Sequence, residues 1–176
     1  MRSVETGGCM RDDGTGKASM KLAKQVVRSG VPETGGPFNL GVTFGPLLFI
    51  SGLPPFREEY ASALREARAR GAKPPPYIPE PFDVQVRIVL DHVKQVAEAA
   101  GSSMDCLLKV NVWLKDQTRM EEFDRIYRGY FSSTDDLPAR TRIQAGRTPL
   151  DCDLEIEAIG YIPGRGWEPM TEWEPL

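Results

Sequence analysis

Hydrophobic and polar positions change period several times along the chain, and each change marks an element. "FDVQVRIVLDHVKQVAEAAG" repeats its apolar residues at three- and four-residue steps. Val86, Val89, Leu90, Val93, Val96 and Ala97 form one stripe, which predicts an amphipathic helix closed by Gly101. "CLLKVNVWLKD" alternates instead, with Leu108, Val110, Val112 and Leu114 against Lys109, Asn111, Trp113 and Lys115, the pattern of a half-buried strand. Met120, Phe123, Ile126, Tyr127 and Tyr130 predict the buried stripe of a second helix, opened by a capping box of Thr118 and Glu121. Upstream, "KLAKQVVRSG", "PFNLGVTFG" and "PLLFISG" read as strands, the last two joined as a hairpin at Gly45-Pro46; downstream, "RTRIQAG" and "DLEIEAIGYI" read as two more. Between these runs, residues 56–80 open with strong helix formers and end in prolines, with few apolar anchors beyond Tyr60 and Leu64. Such a segment is expected on the surface, as a lid or as a contact to another subunit. The order β-β-β, α, β, α, β-β predicts an α+β fold, a mixed six-stranded sheet with two long helices on one face.

The pattern also assigns faces. With Leu154, Ile156 and Ala158 turned toward the helices, the opposite face is expected to carry Arg140, Arg142, Gln144, Glu155 and Glu157 beside Trp113, Ile159 and Tyr161. Charges are costly away from water, and so much aromatic and aliphatic surface is rarely left to solvent. This face is therefore expected to pack on other copies of the chain, with charged groups in crevices between subunits. On the residues alone, Arg140 and Glu155 are either an ion pair on adjacent strands or two parts of a site.

Composition narrows the classes. A length of 176 residues suits one domain, placed at 20–163, between a flexible tail at 1–19 and an arm at 164–176 whose Trp167 and Trp173 are expected to dock on the same or a neighbouring subunit. Met20 is a plausible alternative start. Hydrophobic content of 40% and charged content of 27% are those of a soluble globular protein. A net charge of −3 weighs against a nucleic-acid partner. No apolar run reaches membrane-spanning length and no secretory signal is visible. Three unpaired cysteines, Cys9, Cys106 and Cys152, indicate a reducing compartment, hence the cytoplasm, with Cys106 and Cys152 as small core or turn residues. His92 is the single histidine and is expected to be solvated on its helix. Its isolation excludes a zinc cluster and Ser-His-Asp chemistry, and no glycine-rich phosphate loop is present. No metal and no cofactor are expected.

Six segments in order, "GGPFNLGV", "LLFISG", "VKQVAEAAGSSMDCLLKVNVWLKD", "FDRIYRGYF", "LPARTRIQ" and "LEIEAIGY", resemble the reactive intermediate deaminase family, RidA or YjgF-like, also called endoribonuclease L-PSP. The resemblance runs from about Lys21 to Ile162 and is interrupted at 56–80. It implies a chorismate-mutase-like fold, a homotrimer whose sheets form a barrel, and three clefts between subunits that bind a small carboxylate. The implied activity is cofactor-free hydrolysis of reactive imines or enamines, such as 2-iminoacids, to ketoacids and ammonia. It implies that Arg140 holds the substrate carboxylate and Glu155 orients the water. Ser51 and Gly52 are implied to line the pocket from the adjacent chain, with Asp124 at a position where members often carry asparagine.

The chemistry suits those residue types. An arginine fork fits a carboxylate bidentately, and fixing that carboxylate fixes the imine carbon against a water. A carboxylate whose pKa is raised in a crevice can accept the water's proton. Three positions depart from the family pattern: Phe38 replaces a common tyrosine, Leu53 a common glutamine and Arg142 a common cysteine. A less polar wall and a second cation suit a dicarboxylate, such as an aminomuconate-type ring-cleavage intermediate. Two other readings are an RNA-acting protein and a carboxylate-binding trimer without turnover.

Overall fold

Gly45 takes the left-handed conformation (φ 57°) that a tight turn needs, and it folds β2 (Gly41–Phe44) back on β3 (Leu47–Leu53) as the expected hairpin. The structure, a computed structural model, describes residues 23–165, so the tail at 1–19 and most of the arm, including Trp167 and Trp173, lie outside the described residues. Only Gln25–Val26 of the first predicted strand pairs with the sheet, as β1. With β4 (Leu107–Leu114), β5 (Ala139–Gln144) and β6 (Leu154–Tyr161), the strands form one six-stranded sheet in the order β1-β2-β3-β6-β4-β5. Only β4 and β5 run parallel, so the sheet is mixed.

Among the described residues the α-helices are α1 (Glu58–Ala69), formed by the helix-favouring start of the 56–80 segment, and the two long helices read from sequence, α2 (Phe82–Ala99) and α3 (Met120–Arg128). The stripe read on α2 is buried as expected, and with Phe123, Ile126 and Tyr127 of α3 it covers Leu48, Ile50, Val110, Val112 and Ile156 of the sheet. Met120 is 36% exposed and falls outside that stripe. The capping box is also replaced. Asp116 accepts the backbone N–H of Thr118 at 2.9 Å and its hydroxyl at 2.7 Å, opening a 3-10 turn that leads into α3. A register shift in β4 against β6 turns Leu107 into the core and leaves Leu108 48% exposed, against the simple alternation.

The inserted helix α1 has a core of its own. Its buried residues are Ala61, Leu64 and Ala67, small side chains that a search for large anchors overlooks. Leu64 packs with Phe56 and Cys152, and Tyr60, Tyr77 and Leu150 close the cluster. Phe56, Tyr60 and Tyr77 stack with centroids 4.9–5.0 Å apart. The segment is therefore a docked wall of the domain. Leu64→Ala is expected to cost about 2–5 kcal/mol in a urea titration, as for other fully buried leucines.

Candidate active site

The sheet register divides the sequence-predicted residues into two groups on opposite faces. Arg140 and Arg142 of β5 stand beside Val110 and Val112 of β4, which face the helices. Glu155 and Glu157 of β6 stand beside Trp113 and Asn111, which face the other way. The expectation of one shared charged face is thus incorrect for Arg140, Arg142 and Gln144. An ion pair between Arg140 and Glu155 on adjacent strands is excluded as well, because β4 lies between β5 and β6.

The first group is built on the outer strand β5 and on α3. Arg140 Nη2 lies 2.8 Å from Asp124 Oδ1, and Arg142 Nη1 donates to the same oxygen at 3.0 Å. Arg140 also lies over the Tyr127 ring, 4.7 Å from its centroid, which explains how a guanidinium sits beside a helix-packed face. Burial pushes the Tyr127 hydroxyl up to about 12, although the Arg140 charge opposes the shift. Arg142 is accordingly no free second cation, since it and Arg140 share one aspartate.

From the second group, Glu155 lines a cavity of about 380 Å³. Phe38, Gly52, Leu53 and Glu155 all meet there, four of the residues named from sequence. A register shift between Ile50 and Leu53 places Gly52 against β6, where any Cβ would overlap the Glu155 carboxylate. A side chain at position 52 would push the Glu155 carboxylate out of this place. Burial raises the Glu155 carboxyl above the ordinary carboxylate range, and the neighbouring Glu157 raises it further. Asn111 Nδ2 holds Glu157 at 2.7 Å. Ser51 does not line the cavity. Its hydroxyl donates to the Asn39 carbonyl at 2.7 Å and so fixes the loop carrying Phe38.

Among the cavity residues that sequence reasoning missed are His92, Phe56 and Arg68. His92, expected in solvent, is 7% exposed; burial lowers its pKa, against a hydrogen bond with the Pro54 backbone that raises it, and its Nδ1 has no partner among the described residues. Phe56 and Arg68 come from the inserted segment, and Arg68 Nη1 donates to the Thr34 carbonyl and hydroxyl, both at 2.8 Å. The signal for these residues was the position of the insertion immediately after Ser51-Gly52-Leu53. Among the described residues, no group of three or more His, Cys, Asp or Glu side chains is arranged to hold a metal ion. None of the described helices is long and apolar enough to cross a membrane. Cys106 and Cys152 are buried, and burial raises the Cys152 thiol to about 12.

The sequence pattern of the Endoribonuclease L-PSP family matches residues 29–162. A RutC family protein of Pyrococcus horikoshii is 31% identical over 140 residues, which cover 80% of this chain and 98% of that protein. The 2-iminobutanoate/2-iminopropanoate deaminase of Escherichia coli K12 is 27% identical over 139 residues, 78% of this chain and 97% of the enzyme. Among solved structures, RidA from an Antarctic Psychrobacter superposes with a TM-score of 0.65 at 27% identity, covering 78% of this chain and 99% of that one. E. coli TdcF with bound serine gives a TM-score of 0.64 at 27% identity, covering 78% and 98%. The chain belongs to the Endoribonuclease L-PSP family, the RidA/YjgF group that its sequence segments resemble.

Proposed function

We propose that the protein is a cofactor-independent deaminase that hydrolyses 2-iminoacids, or the enamines in equilibrium with them, to ketoacids and ammonia. The observation that carries this reading is Glu155, a half-buried carboxylate with a raised pKa on the wall of a ligand-sized cavity. In its ionised form Glu155 takes one proton from a water whose oxygen bonds to the imine carbon. The C=N double bond becomes a single bond and its electron pair stays on nitrogen. The proton then passes to that nitrogen to give a carbinolamine. Glu155 next takes the proton of the new hydroxyl and delivers it to the amino nitrogen, the C–N bond breaks with its electrons on the departing ammonia, and the former O–H electron pair closes the C=O bond of the ketoacid. The deaminase relatives and the serine found in TdcF are consistent with a pocket for an α-nitrogen carboxylate.

Arg140 is proposed to hold the substrate carboxylate, with Arg142 and Asp124 orienting its guanidinium. Because Arg140 and Glu155 lie on opposite sheet faces, a complete site takes Arg140 from one chain and Glu155 from the next. β5, as the sheet's outer strand, leaves Arg140 accessible to a neighbour. The face bearing Glu155 also exposes Phe49, Ile159 and Tyr161 at 37–40%, together with Ile143 at 44%. Covering that apolar surface is the driving force for a homotrimeric, chorismate-mutase-like barrel.

The test is ammonia release, above the uncatalysed rate, from iminoacids generated in the cuvette by an amino-acid oxidase. No acceleration with any iminoacid would refute the reading. Asp124 repels the incoming carboxylate and competes for its guanidinium, so Asp124→Asn is expected to lower KM several-fold, read from initial rates. The acidic chain and the shared Asp124 give no support to an RNA substrate or a second substrate carboxylate.

A further inference from the structure

We infer that α1 and the turn before β6 make the Glu155 cavity a fixed compartment for a bulky apolar side chain, so that preferred substrates are iminoacids of leucine, methionine or phenylalanine type. This rests on the deaminase reading and adds the substrate class. A two- or three-carbon substrate leaves most of a 380 Å³ cavity unfilled. Besides Glu155 its lining includes Val31, Phe38, Leu40, Leu53, Phe56 and Leu150. Apolar side chains and prolines predominate in that lining, the composition that favours apolar groups.

The polar groups in the cavity do not favour a second charge on the substrate. Arg68 already donates to both oxygens of Thr34. Glu155 repels a distal carboxylate, and no basic side chain other than Arg68 and the buried His92 lines the cavity. The wall is also rigid. Arg65 Nη1 donates to the Glu33 carbonyl at 2.6 Å, Tyr60 to the Pro75 carbonyl at 2.9 Å and Tyr77 to the Pro55 carbonyl at 3.2 Å, so both ends of the inserted segment are tied down.

Leu150 supplies the most specific sign. It and Asp151 are the described non-glycine residues with positive φ, at 52° and 61°. Left-handed backbone is unfavourable for a leucine, and here it accompanies a side chain that lines the cavity. A polar residue tolerant of that conformation, such as asparagine, would serve a simple turn better.

The experiment compares kcat/KM for iminoacids made in the cuvette from alanine, leucine, phenylalanine and glutamate. Leucine- or phenylalanine-derived imines are expected to exceed the alanine-derived one by about tenfold or more, the discrimination typical of added methylenes in an apolar pocket. Leu150→Asn, which suits the left-handed backbone although it gives up an apolar contact with the α1 cluster, is expected to shrink that ratio by about fivefold in a chain that the thermal melt shows to be folded. Calorimetry with 4-methylpentanoate and propanoate reads the compartment without turnover, and the branched acid is expected to bind tighter. Equal rates for alanine- and leucine-derived imines, or a preference for the glutamate-derived one, would overturn the inference while leaving the deaminase reading intact. No turnover with any imine, but tighter binding of 4-methylpentanoate, would refute the deaminase reading and uphold the compartment.

Discussion

Glu155→Gln is expected to lower kcat by about 10²–10⁴, the usual contribution of a positioned general base, and at neutral pH to raise the melting temperature. Both effects have one origin. The folded chain holds Glu155 where burial and Glu157 disfavour its charged form. Its folded pKa therefore lies above its unfolded value, ordinarily about 4.3. The associated stability is fully present below that unfolded value and is lost as pH rises through the folded pKa. Activity runs the opposite way, because only the ionised carboxylate accepts a proton. The rate is expected to climb over the same interval, with its acid limb above the ordinary carboxylate range. Glutamine removes the titration, so the variant's melting temperature should vary less with pH across that window. The introduced amide also occupies almost the same volume beside Gly52, which keeps packing from confusing the result. A variant with full activity, or an acid limb at the ordinary carboxylate position, contradicts the role assigned to Glu155.

Arg140→Ala is expected to reduce kcat/KM by about a hundredfold or more, because the substrate loses both the charge and the fork that orient it. The specific readout is a comparison of substrates. An imine without a carboxylate has nothing for Arg140 to hold, so its hydrolysis should change little. Arg140→Lys keeps the charge without the fork and is expected to fall between wild type and alanine. Folding should suffer modestly, by about 1 kcal/mol, for the lost contacts to the Tyr127 ring and Asp124. Equal losses on carboxylate-bearing and carboxylate-free imines would show that Arg140 acts through structure alone.

The long-period parts of the fold were readable in the chain. The stripe from Val86 to Ala97, the alternation of β6 and the Gly45 turn each obey one dominant rule, burial on one face or a positive φ, and each is found where the pattern puts it. Errors arose where a local exchange of partners outweighed alternation. Arg140 and Arg142 look like an outward face, but Asp124 and the Tyr127 ring receive their guanidiniums on the helix-packed side. Ile143, between Arg142 and Gln144, is on the uncovered face and 44% exposed. Leu108 was displaced by an irregular pairing that no composition signals. His92 carries no trace in its own sequence of the Pro54 backbone that it meets. Of the candidate site, Glu155, Gly52, Leu53 and Phe38 line one cavity within a single chain, where the resemblance implied that Gly52 comes from the adjacent chain; Arg68 and Phe56 depend on how the insertion folds back, and Leu150 on the turn before β6. Such long-range contacts leave no local period to read.

Whether Arg140 of one chain and Glu155 of the next complete each site is decided by mixing the two inactive variants. Arg140→Ala and Glu155→Gln chains are unfolded together in equal amounts and refolded, so that mixed oligomers form. In a trimer, every mixed species contains one junction with an intact Arg140 on one side and an intact Glu155 on the other. Random assembly is expected to restore about a quarter of wild-type activity, since three-quarters of trimers are mixed and each holds one such junction of three. Mixed oligomers that form and remain as inactive as either parent would contradict a site shared between chains.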